Sequence, residues 1–287
     1  MPDNDSGGGL SAFGVSIDEL SLLMRLADVT ELAPIVLAVH PNVYRPDDQS
    51  AVDLAVLPGL IAAGLVDADG AIDPEVARWL RALQAPAAEI ALRVFDGDSA
   101  LRGAIVRHDD LVVVVFRHDD LLTLQGYRTD GEDFDSTVVD PVWRVLGSCD
   151  PADFDSLTLG AAELREIVSM YNPASTDPRG EREFRGRLRE HDLPPHTVDV
   201  LVDAARYSGR RAEVVYHRVD LNGVRTQAQW ALGVMDTDQG RVLSTTTRGR
   251  GGDNDVILSP GTRRRFAEGL NELVARGGCV GWFDIAN

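Results

Sequence analysis

The stretch AEVVYHRVDLNGVRTQAQWALGVMDTDQGRVLSTTTRG, residues 212–249, decides the fold of this 287-residue chain. Short runs rich in β-branched and aromatic residues alternate in it with Asp, Gly and Asn turn residues. This alternation is typical of antiparallel strands joined by tight turns, so it predicts a meander of three or four strands. Further on, Ser259 and Pro260 predict a helix, because Ser is a favoured N-cap and Pro a favoured first helical residue.

A degraded copy of this stretch lies earlier in the chain, at residues 88–127, with the sequence AEIALRVFDGDSALRGAIVRHDDLVVVVFRHDDLLTLQGY. Asp140 and Pro141 follow it and predict a second capped helix. Matching helix starts precede the two meanders: the capping box of Ser16 and Glu19 with a start near Thr158, and Asp73-Pro74 with Pro194-Pro195. Each half is therefore predicted to contain helices, then strands, then a helix, in a pseudo-symmetric fold.

The repeat also sets the expected boundaries within the chain. Residues 1–15 are predicted to be a disordered tail, residues 16–150 the N-terminal half and residues 151–287 the C-terminal half of one integrated domain. Length alone allows one large core or two small ones, and the repeat favours two joined halves. In the first half, apolar spacing predicts helices at residues 17–26 and 51–65, with a short extended run at residues 34–39.

The charge of the chain restricts its partners. The formal net charge is −18, all 28 basic residues are arginines, and residues 1–150 hold 26 acidic residues against 10 Arg. Such a field repels phosphate backbones and anionic lipid heads, so neither nucleic acid nor a membrane is expected as a partner. The partner is expected to be neutral, apolar or locally basic. No apolar run approaches membrane-spanning length and no leader pattern opens the sequence, so a cytoplasmic location is expected.

Motifs for catalysis and for metal binding are missing from the sequence, which contains no His-Glu-x-x-His, Cys-x-x-Cys, Gly-x-Ser-x-Gly or Walker pattern. The sequence RHDDL occurs at residues 107–111 and again at 117–121. If each copy forms a hairpin turn at one end of the strand between them, the turns are about 20 Å apart and cannot share an ion. The chain is therefore predicted to be no enzyme and to need neither metal nor cofactor.

Two features leave alternatives open. Cys149 and Cys279 fit either a reduced pair or a disulfide. Cys149 itself is predicted to be inert, because the adjacent Asp150 raises a thiol pKa where a nucleophile needs it lowered. A Ser-His-Asp or Cys-His site assembled from distant residues also stays an alternative, since such groups meet only in space.

Three consecutive arginines, residues 263–265, lie in the first turn of the last predicted helix. The helix dipole is positive there, and each cation is unfavourable by about 0.3–1 kcal/mol. Contacts with Glu268 and Glu272, one turn further along, explain part of this arrangement. The alternative is a docking role for Arg263 and Arg264.

Several segments in a fixed order carry a resemblance to a known family. In the second half they are AEV (212–214), NGVRT (222–226), VMDTDQGRVL (234–243), LSPGT (258–262) and Trp282; in the first half they are AGLV (63–66) and the pattern G-x-I-D-P-x-V-A-x-W (70–79). Over about residues 16–283 the chain resembles the EspG family of actinobacterial type VII secretion chaperones. The resemblance implies an α+β fold with a central antiparallel β-sheet flanked by helical bundles, in two quasi-twofold-related halves.

The resemblance also implies a function and a partner. EspG proteins bind PE–PPE heterodimers in the cytosol by the apolar helical tip of the PPE subunit, keep this cargo soluble and direct it to its secretion system. We expect the same of this chain, as a monomer or a weak homodimer. A non-PPE client of the same fold is the alternative.

The family's contact surface includes the loop between the second and third strands of the sheet, together with part of the second-half sheet and helices. The matching loop here is formed by Phe95, Asp96, Gly97, Asp98, Ser99, Ala100 and Leu101. This loop is shorter than in several family members. We therefore expect Gln227, Gln229 and Trp230 to provide more of the partner-binding surface. Trp230 is equally well explained as a core residue of its strand.

Overall fold

In the computed structural model, the described residues are organised around a ten-stranded antiparallel β-sheet. The structure describes residues 11–40, 42, 45–129, 133–171, 178–206, 209–220, 224–249, 252–277 and 282. The strands are β1 (Ala12–Ser16), β2 (Ala88–Asp96), β3 (Ser99–His108), β4 (Leu111–His118), β5 (Leu121–Arg128), β6 (Leu157–Gly160), β7 (Arg211–Val219), β8 (Arg225–Thr237), β9 (Gly240–Arg248) and β10 (Asn254–Pro260). The helices are α1 (Ile17–Leu26), α2 (Pro46–Ala62), α3 (Pro74–Gln84), α4 (Asp140–Leu146), α5 (Ala161–Ser169), α6 (Pro178–Arg189), α7 (Pro195–Arg206) and α8 (Arg263–Arg276).

The strand order β1-β5-β4-β3-β2-β7-β8-β9-β10-β6 is the same on both sides of the sheet centre. Each side is a four-stranded meander with one further strand at its outer edge, β1 beside β5 and β6 beside β10. β2 and β7 pair antiparallel at the centre, from Ala88↔Arg218 to Phe95↔Arg211. The α+β class and both meanders are thus confirmed, whereas the domain boundary at residue 150 stays a prediction.

Helices cover the two faces of the sheet differently. On one face, α1–α3 pack on the first half of the sheet and α5–α7 on the second half. Val215 packs against the first of these groups and Met235 against the second, and the β7–β8 register places both side chains on this face. We call it the bundle face. The opposite face, here called the back face, packs against α4 and α8.

The predicted helix starts at Ser16 and Asp73 are confirmed. The Ser16 hydroxyl accepts from the Glu19 backbone N–H at 3.2 Å, and the Glu19 carboxylate accepts from the Ser16 N–H at 2.7 Å. Asp73 accepts from the backbone N–H groups of the first turn of α3. Each satisfied donor would otherwise be left without a partner at the helix end. The two RHDDL copies form hairpin turns as predicted, with Asp109 and Asp119 both at φ 52°.

Two predictions for the first half were wrong. Residues 12–15, assigned to the disordered tail, belong to β1, because Phe13 and Val15 alternate into the core and Phe13 stacks on Trp79 with ring centroids 5.5 Å apart. The predicted extended run at residues 34–39 contains a 3-10 turn, Ile35–Leu37, instead. The second predicted helix begins earlier than expected, at Pro46, and ends at Ala62. Residues 1–10 lie outside the described part of the chain.

The predicted helix start at Pro194-Pro195 is confirmed, because α7 begins at Pro195, whereas three other predicted starts were wrong. Asp140 does not cap α4, because a π-helical turn, Asp135–Val139, runs directly into it. Pro141 has no N–H for the regular helical ladder, which explains the irregularity before it. Pro260 ends β10, paired with Val242, and Thr262 caps α8 instead of Ser259. Near Thr158 the chain is still in β6, and α5 follows.

Candidate partner-binding surface

A cleft crosses the centre of the bundle face, where the sheet lies between the helices of the two halves. This central cleft has a volume of about 480 Å³ and is lined by Ile35, Val36, Ala91, Arg93, Glu213, Val215, His217, Arg225 and Gln227. Strands β2, β7 and β8 supply its floor. A second cavity of about 590 Å³ adjoins it and shares Ile35 and Arg93 with it. The side chain of Ile35 is therefore a ridge between two hollows.

Ile35 is a large aliphatic residue with 75% of its surface exposed. It belongs to the 3-10 turn Ile35–Leu37, whose other two side chains, Val36 and Leu37, are buried in the core. Single exposed apolar residues are common on protein surfaces. Ile35 differs from most of them because its backbone is fixed on both sides by buried neighbours, so its side chain is held in the solvent.

Three arginines from three strands fix this turn further by donating to carbonyl groups in it and just before it. Their bonds are Arg102 Nη1 to Val36 O (3.4 Å), Arg117 Nη1 to Leu37 O (2.8 Å) and Arg225 Nη1 to Ala33 O (2.9 Å). Ala38, which ends the turn, has a left-handed backbone at φ 49°. A non-glycine residue keeps such a conformation only when its surroundings impose it. The turn is thus preorganised to present Ile35.

A buried charge cluster lies beneath the cleft. Glu89 has no exposed side-chain surface, and its Oε2 lies 2.7 Å from Arg225 Nη2. His217 Nδ1 is 4.0 Å from Glu89 Oε1 and 3.2 Å from Arg225 Nη2. Burial raises the pKa of Glu89 to about 7, although Arg225 opposes this rise. Burial first, and the Arg225 charge second, lower the pKa of His217 to about 4. Near neutral pH, Glu89 is therefore the group of this cluster that titrates.

The quasi-twofold symmetry relates this cluster to a second pair. In the β2–β7 register, Glu89 faces His217 and Arg93 faces Glu213. The two sequence copies begin with Ala-Glu at residues 88–89 and 212–213, so Glu89 and Glu213 occupy corresponding positions. Glu89 is buried and His217 partly buried next to Arg225, whereas Arg93 and Glu213 lie exposed in the cleft. The sequence repeat, combined with antiparallel pairing at the centre, was a signal that could have located both pairs.

The predicted binding loop at residues 95–101 is mostly strand. Phe95 and Asp96 end β2, while Ser99, Ala100 and Leu101 begin β3, so the turn itself is Gly97 and Asp98, with Gly97 at φ 58°. A Gly-Asp pair suits a tight hairpin, and the β2–β3 register continues without interruption to Asp96↔Ser99.

This hairpin is braced from outside the β2–β3 pair. Arg210 Nη2 lies 2.6 Å from Asp96 Oδ2, and the Arg211 guanidinium lies 4.7 Å from the centre of the Phe95 ring. The predicted loop is therefore a rigid hairpin end, and partner contact there stays a prediction.

The other predicted binding residues lie on different faces. Gln227 lines the central cleft, and Gln229 is exposed on the same face by strand alternation. Trp230 is half-buried on the back face, where the Arg276 guanidinium lies 5.4 Å from its ring centre. Contact of these side chains with a partner stays a prediction, and Trp230 does not share a surface with the two glutamines.

The arginines at the start of α8 have partners within the chain. Arg263 Nη2 lies 2.5 Å from Asp135 and 2.6 Å from Asp140, and Arg264 pairs with Glu268 at 2.9 Å. Glu272 was expected to help here but pairs with Arg276 instead. Intramolecular ion pairs therefore offset the unfavourable position of these cations, and a docking role for Arg263 and Arg264 stays a prediction.

A Ser-His-Asp arrangement does occur at the β2–β3 hairpin, but its geometry does not suit catalysis. Ser99 Oγ is 2.9 Å from His118 Nε2, whereas His118 Nδ1 is 3.8 Å from the Asp119 carboxylate, which is beyond hydrogen-bond distance. The side chains of His118 and Asp119 are 57% and 86% exposed, so water is not excluded. Ser99 begins β3 and His118 ends β4, so these contacts are explained as polar interactions at neighbouring hairpin ends.

Cys149 and metal binding complete the survey of reactive groups. Cys149 is a free thiol, and burial, followed by the Asp236 carboxylate, raises its pKa. This agrees with the prediction that it is inert, while Cys279 lies outside the described residues. Within the described ranges, no three His, Cys, Asp or Glu side chains lie close enough to hold a metal ion, and no helix is long and apolar enough to span a membrane.

Comparison with known proteins identifies the family. The model of the EspG family matches residues 16–272. The chain belongs to this family. It is 27% identical to the ESX-1 secretion-associated protein EspG1 of Mycobacterium tuberculosis, over 94% of this chain and 89% of that protein. It is 29% identical to the ESX-3 secretion-associated protein EspG3 of Mycolicibacterium smegmatis, over 90% of this chain and 85% of that protein.

A solved structure of the family has the same fold. The Mycobacterium tuberculosis type VII secretion system chaperone EspG5, solved in complex with the PE25–PPE41 dimer, matches this chain with a TM-score of 0.75 and 18% identity. The match covers 93% of this chain and 96% of EspG5. The family resemblance and the fold class expected from the sequence are both confirmed.

Proposed function

We propose that this EspG-family chain is a cytosolic chaperone of type VII secretion that binds a PE–PPE heterodimer, keeps it soluble and directs it to its secretion system. The family relation supports this function, as does the presence of a PE–PPE dimer in the EspG5 complex. The observation that carries it is the central cleft, in which a preorganised turn presents Ile35 to solvent.

Such a surface suits the binding of a partner without a catalysed reaction. A cargo with an uncovered apolar helical tip needs a partner that removes this patch from water. A preorganised apolar side chain does so at a low cost in conformational entropy, because the turn is already ordered before binding. We propose that Ile35 and the hollows on either side of it receive the PPE tip, and that the chain acts as a monomer or a weak homodimer.

Co-expression tests this proposal. The chain is produced with each PE–PPE pair encoded in the same genome, and the products are separated by size-exclusion chromatography. We expect one or more pairs to comigrate with it as a stable complex. If no pair comigrates, the PE–PPE function is contradicted, and affinity purification with mass spectrometry would then identify a non-PPE client.

Replacing Ile35 with Asp is expected to weaken cargo binding by about 10- to 100-fold, because burial of an isoleucine side chain contributes about 1.5–3 kcal/mol and the new carboxylate must be desolvated. Isothermal titration calorimetry with the copurified pair measures the change. Leu54→Asp is the matched control, since Leu54 on α2 is 73% exposed and lies outside both hollows. Equal losses in both variants would show that the cleft is not the binding site.

An enzyme is the rival class, and one observation favours it. The cleft brings together a histidine and an acid whose pKa values are displaced in opposite directions, an arrangement that is common in active sites. Glu89, however, is covered by Arg225 and has no exposed surface, so a substrate cannot reach it. The described residues that line the cleft also include no Ser, Thr or Cys nucleophile. Binding is therefore the function that the geometry supports best.

A further inference from the structure

Two arginines stand side by side next to Ile35 on the bundle face. Arg93 on β2 and Arg102 on β3 are directly opposite each other in the strand register, and both line the second hollow together with Ile35. Like charges at directly opposed strand positions destabilise a sheet. The arrangement is therefore unfavourable in the free protein, unless a group of opposite charge compensates it.

Ion pairs that would compensate these two charges are absent from the described part of the chain. Arg102 donates to the Val36 carbonyl at 3.4 Å, and neither Arg93 nor Arg102 forms an ion pair there. Glu213 lies directly opposite Arg93 in the β2–β7 register and offsets part of its charge, but the two side chains form no ion pair. The neighbouring Arg225 is already paired with Glu89 at 2.7 Å. In a chain with a net charge of −18, two adjacent cations have thus been left available at the proposed binding site.

The chemistry of this pair selects its ligand. A guanidinium presents several N–H donors in a plane, which matches the two oxygens of a carboxylate. One carboxylate between Arg93 and Arg102 would accept from both and remove their mutual repulsion. Because Ile35 lines the same hollow, this carboxylate must lie close to the apolar group that packs on Ile35, within about one helical turn of it.

Building on the proposed function, we infer that the cargo tip carries an acidic side chain beside its apolar residues, and that Arg93 and Arg102 bind this carboxylate while Ile35 packs against the apolar part. This inference departs from the expectation, drawn from net charge, of a neutral, apolar or basic partner. The local charge of the site, not the charge of the whole chain, sets which cargo fits.

Charge reversal tests the inference, with the PE–PPE pair that comigrates with the wild-type chain as the probe. The double variant Arg93→Glu/Arg102→Glu is expected to bind that pair on the order of 100-fold more weakly, and Arg93→Gln/Arg102→Gln about 10-fold more weakly. Arg144→Glu is the control, because Arg144 is an exposed arginine on α4 at the back face. The affinity of this variant for the pair should change less than about twofold. Circular dichroism and thermal melting establish that each variant is folded.

A reciprocal change in the cargo completes the test. Each acidic residue of the PPE tip is replaced with Arg in turn, and one replacement is expected to restore binding to the double Glu variant while weakening binding to the wild-type chain. If the folded double variants bind wild-type cargo normally, or if no cargo replacement restores binding, the carboxylate inference is overturned and the chaperone function stands. If the wild-type chain binds no pair at all, both are overturned.

Discussion

The variant Arg241→Ala is expected to lose about 3–5 kcal/mol of its free energy of unfolding, because removing one partner of a buried ion pair leaves the other charge uncompensated. The Arg241 side chain has no exposed surface. Its Nε and Nη2 donate to the two oxygens of Asp236 at 2.6 and 2.9 Å, and Nη2 also donates to the carbonyls of Leu146 and Gly147 at 3.0 and 3.1 Å. The guanidinium lies 4.8 Å from the centre of the Trp143 ring.

These contacts connect distant parts of the chain. They join the end of α4 to the β8–β9 hairpin, and the backbone of Arg241 also accepts from the Gly261 N–H just before α8, at 2.7 Å. The substitution therefore loosens the junction between the two halves on the back face. Urea denaturation measures the loss, and Arg264→Ala is the control, because Arg264 is 76% exposed and its pair with Glu268 contributes little. Equal denaturation midpoints for the two variants would contradict the assigned role of Arg241.

The same contacts explain why one sequence segment was so informative. In VMDTDQGRVL, Asp236 and Arg241 are the buried pair, and Thr237 accepts from the Gln239 N–H inside the turn at 3.1 Å. Gly240 has φ 114°, and a Cβ there would lie 2.6 Å from the Ala152 backbone nitrogen. Each of these residues serves the fold. The segment could therefore predict the family and the architecture from the sequence, but not the binding surface.

The cleft was harder to predict because its shape depends on contacts between residues far apart in sequence. The turn that carries Ile35 is held by Arg102, Arg117 and Arg225, which lie 66, 80 and 192 residues from the carbonyl groups they bind. Local propensity favoured an extended run there, and tertiary hydrogen bonds imposed a 3-10 turn. Local patterns did predict the meanders, the caps at Ser16 and Asp73, and the hairpins, since adjacent residues determine those features.

The second large effect is expected from the pH dependence of stability at Glu89 and His217. The pKa of Glu89 is about 7 in the folded protein against an ordinary value of 4.5, so between these pH values the folded state binds more protons than the unfolded state. The contribution of Glu89 to the free energy of unfolding is therefore largest below pH 4.5 and declines by about 3 kcal/mol as the pH rises to about 7. The pKa of His217 is about 4 against 6.5, which gives the opposite slope, a gain of stability as the pH rises from 4 to 6.5.

Single variants should separate these opposing contributions. Glu89→Gln removes the declining contribution, so its stability relative to wild type should increase by about 3 kcal/mol between pH 4.5 and pH 7. His217→Gln removes the rising contribution, so its stability relative to wild type should decrease across the window from pH 4 to 6.5, by a smaller amount because the ring, unlike the Glu89 carboxylate, keeps some contact with water. Urea denaturation at closely spaced pH values measures both, and the comparison with wild type cancels the other acidic residues, which all three proteins share. Parallel stability curves for the three proteins would show that Glu89 is ionised throughout, held by Arg225 alone.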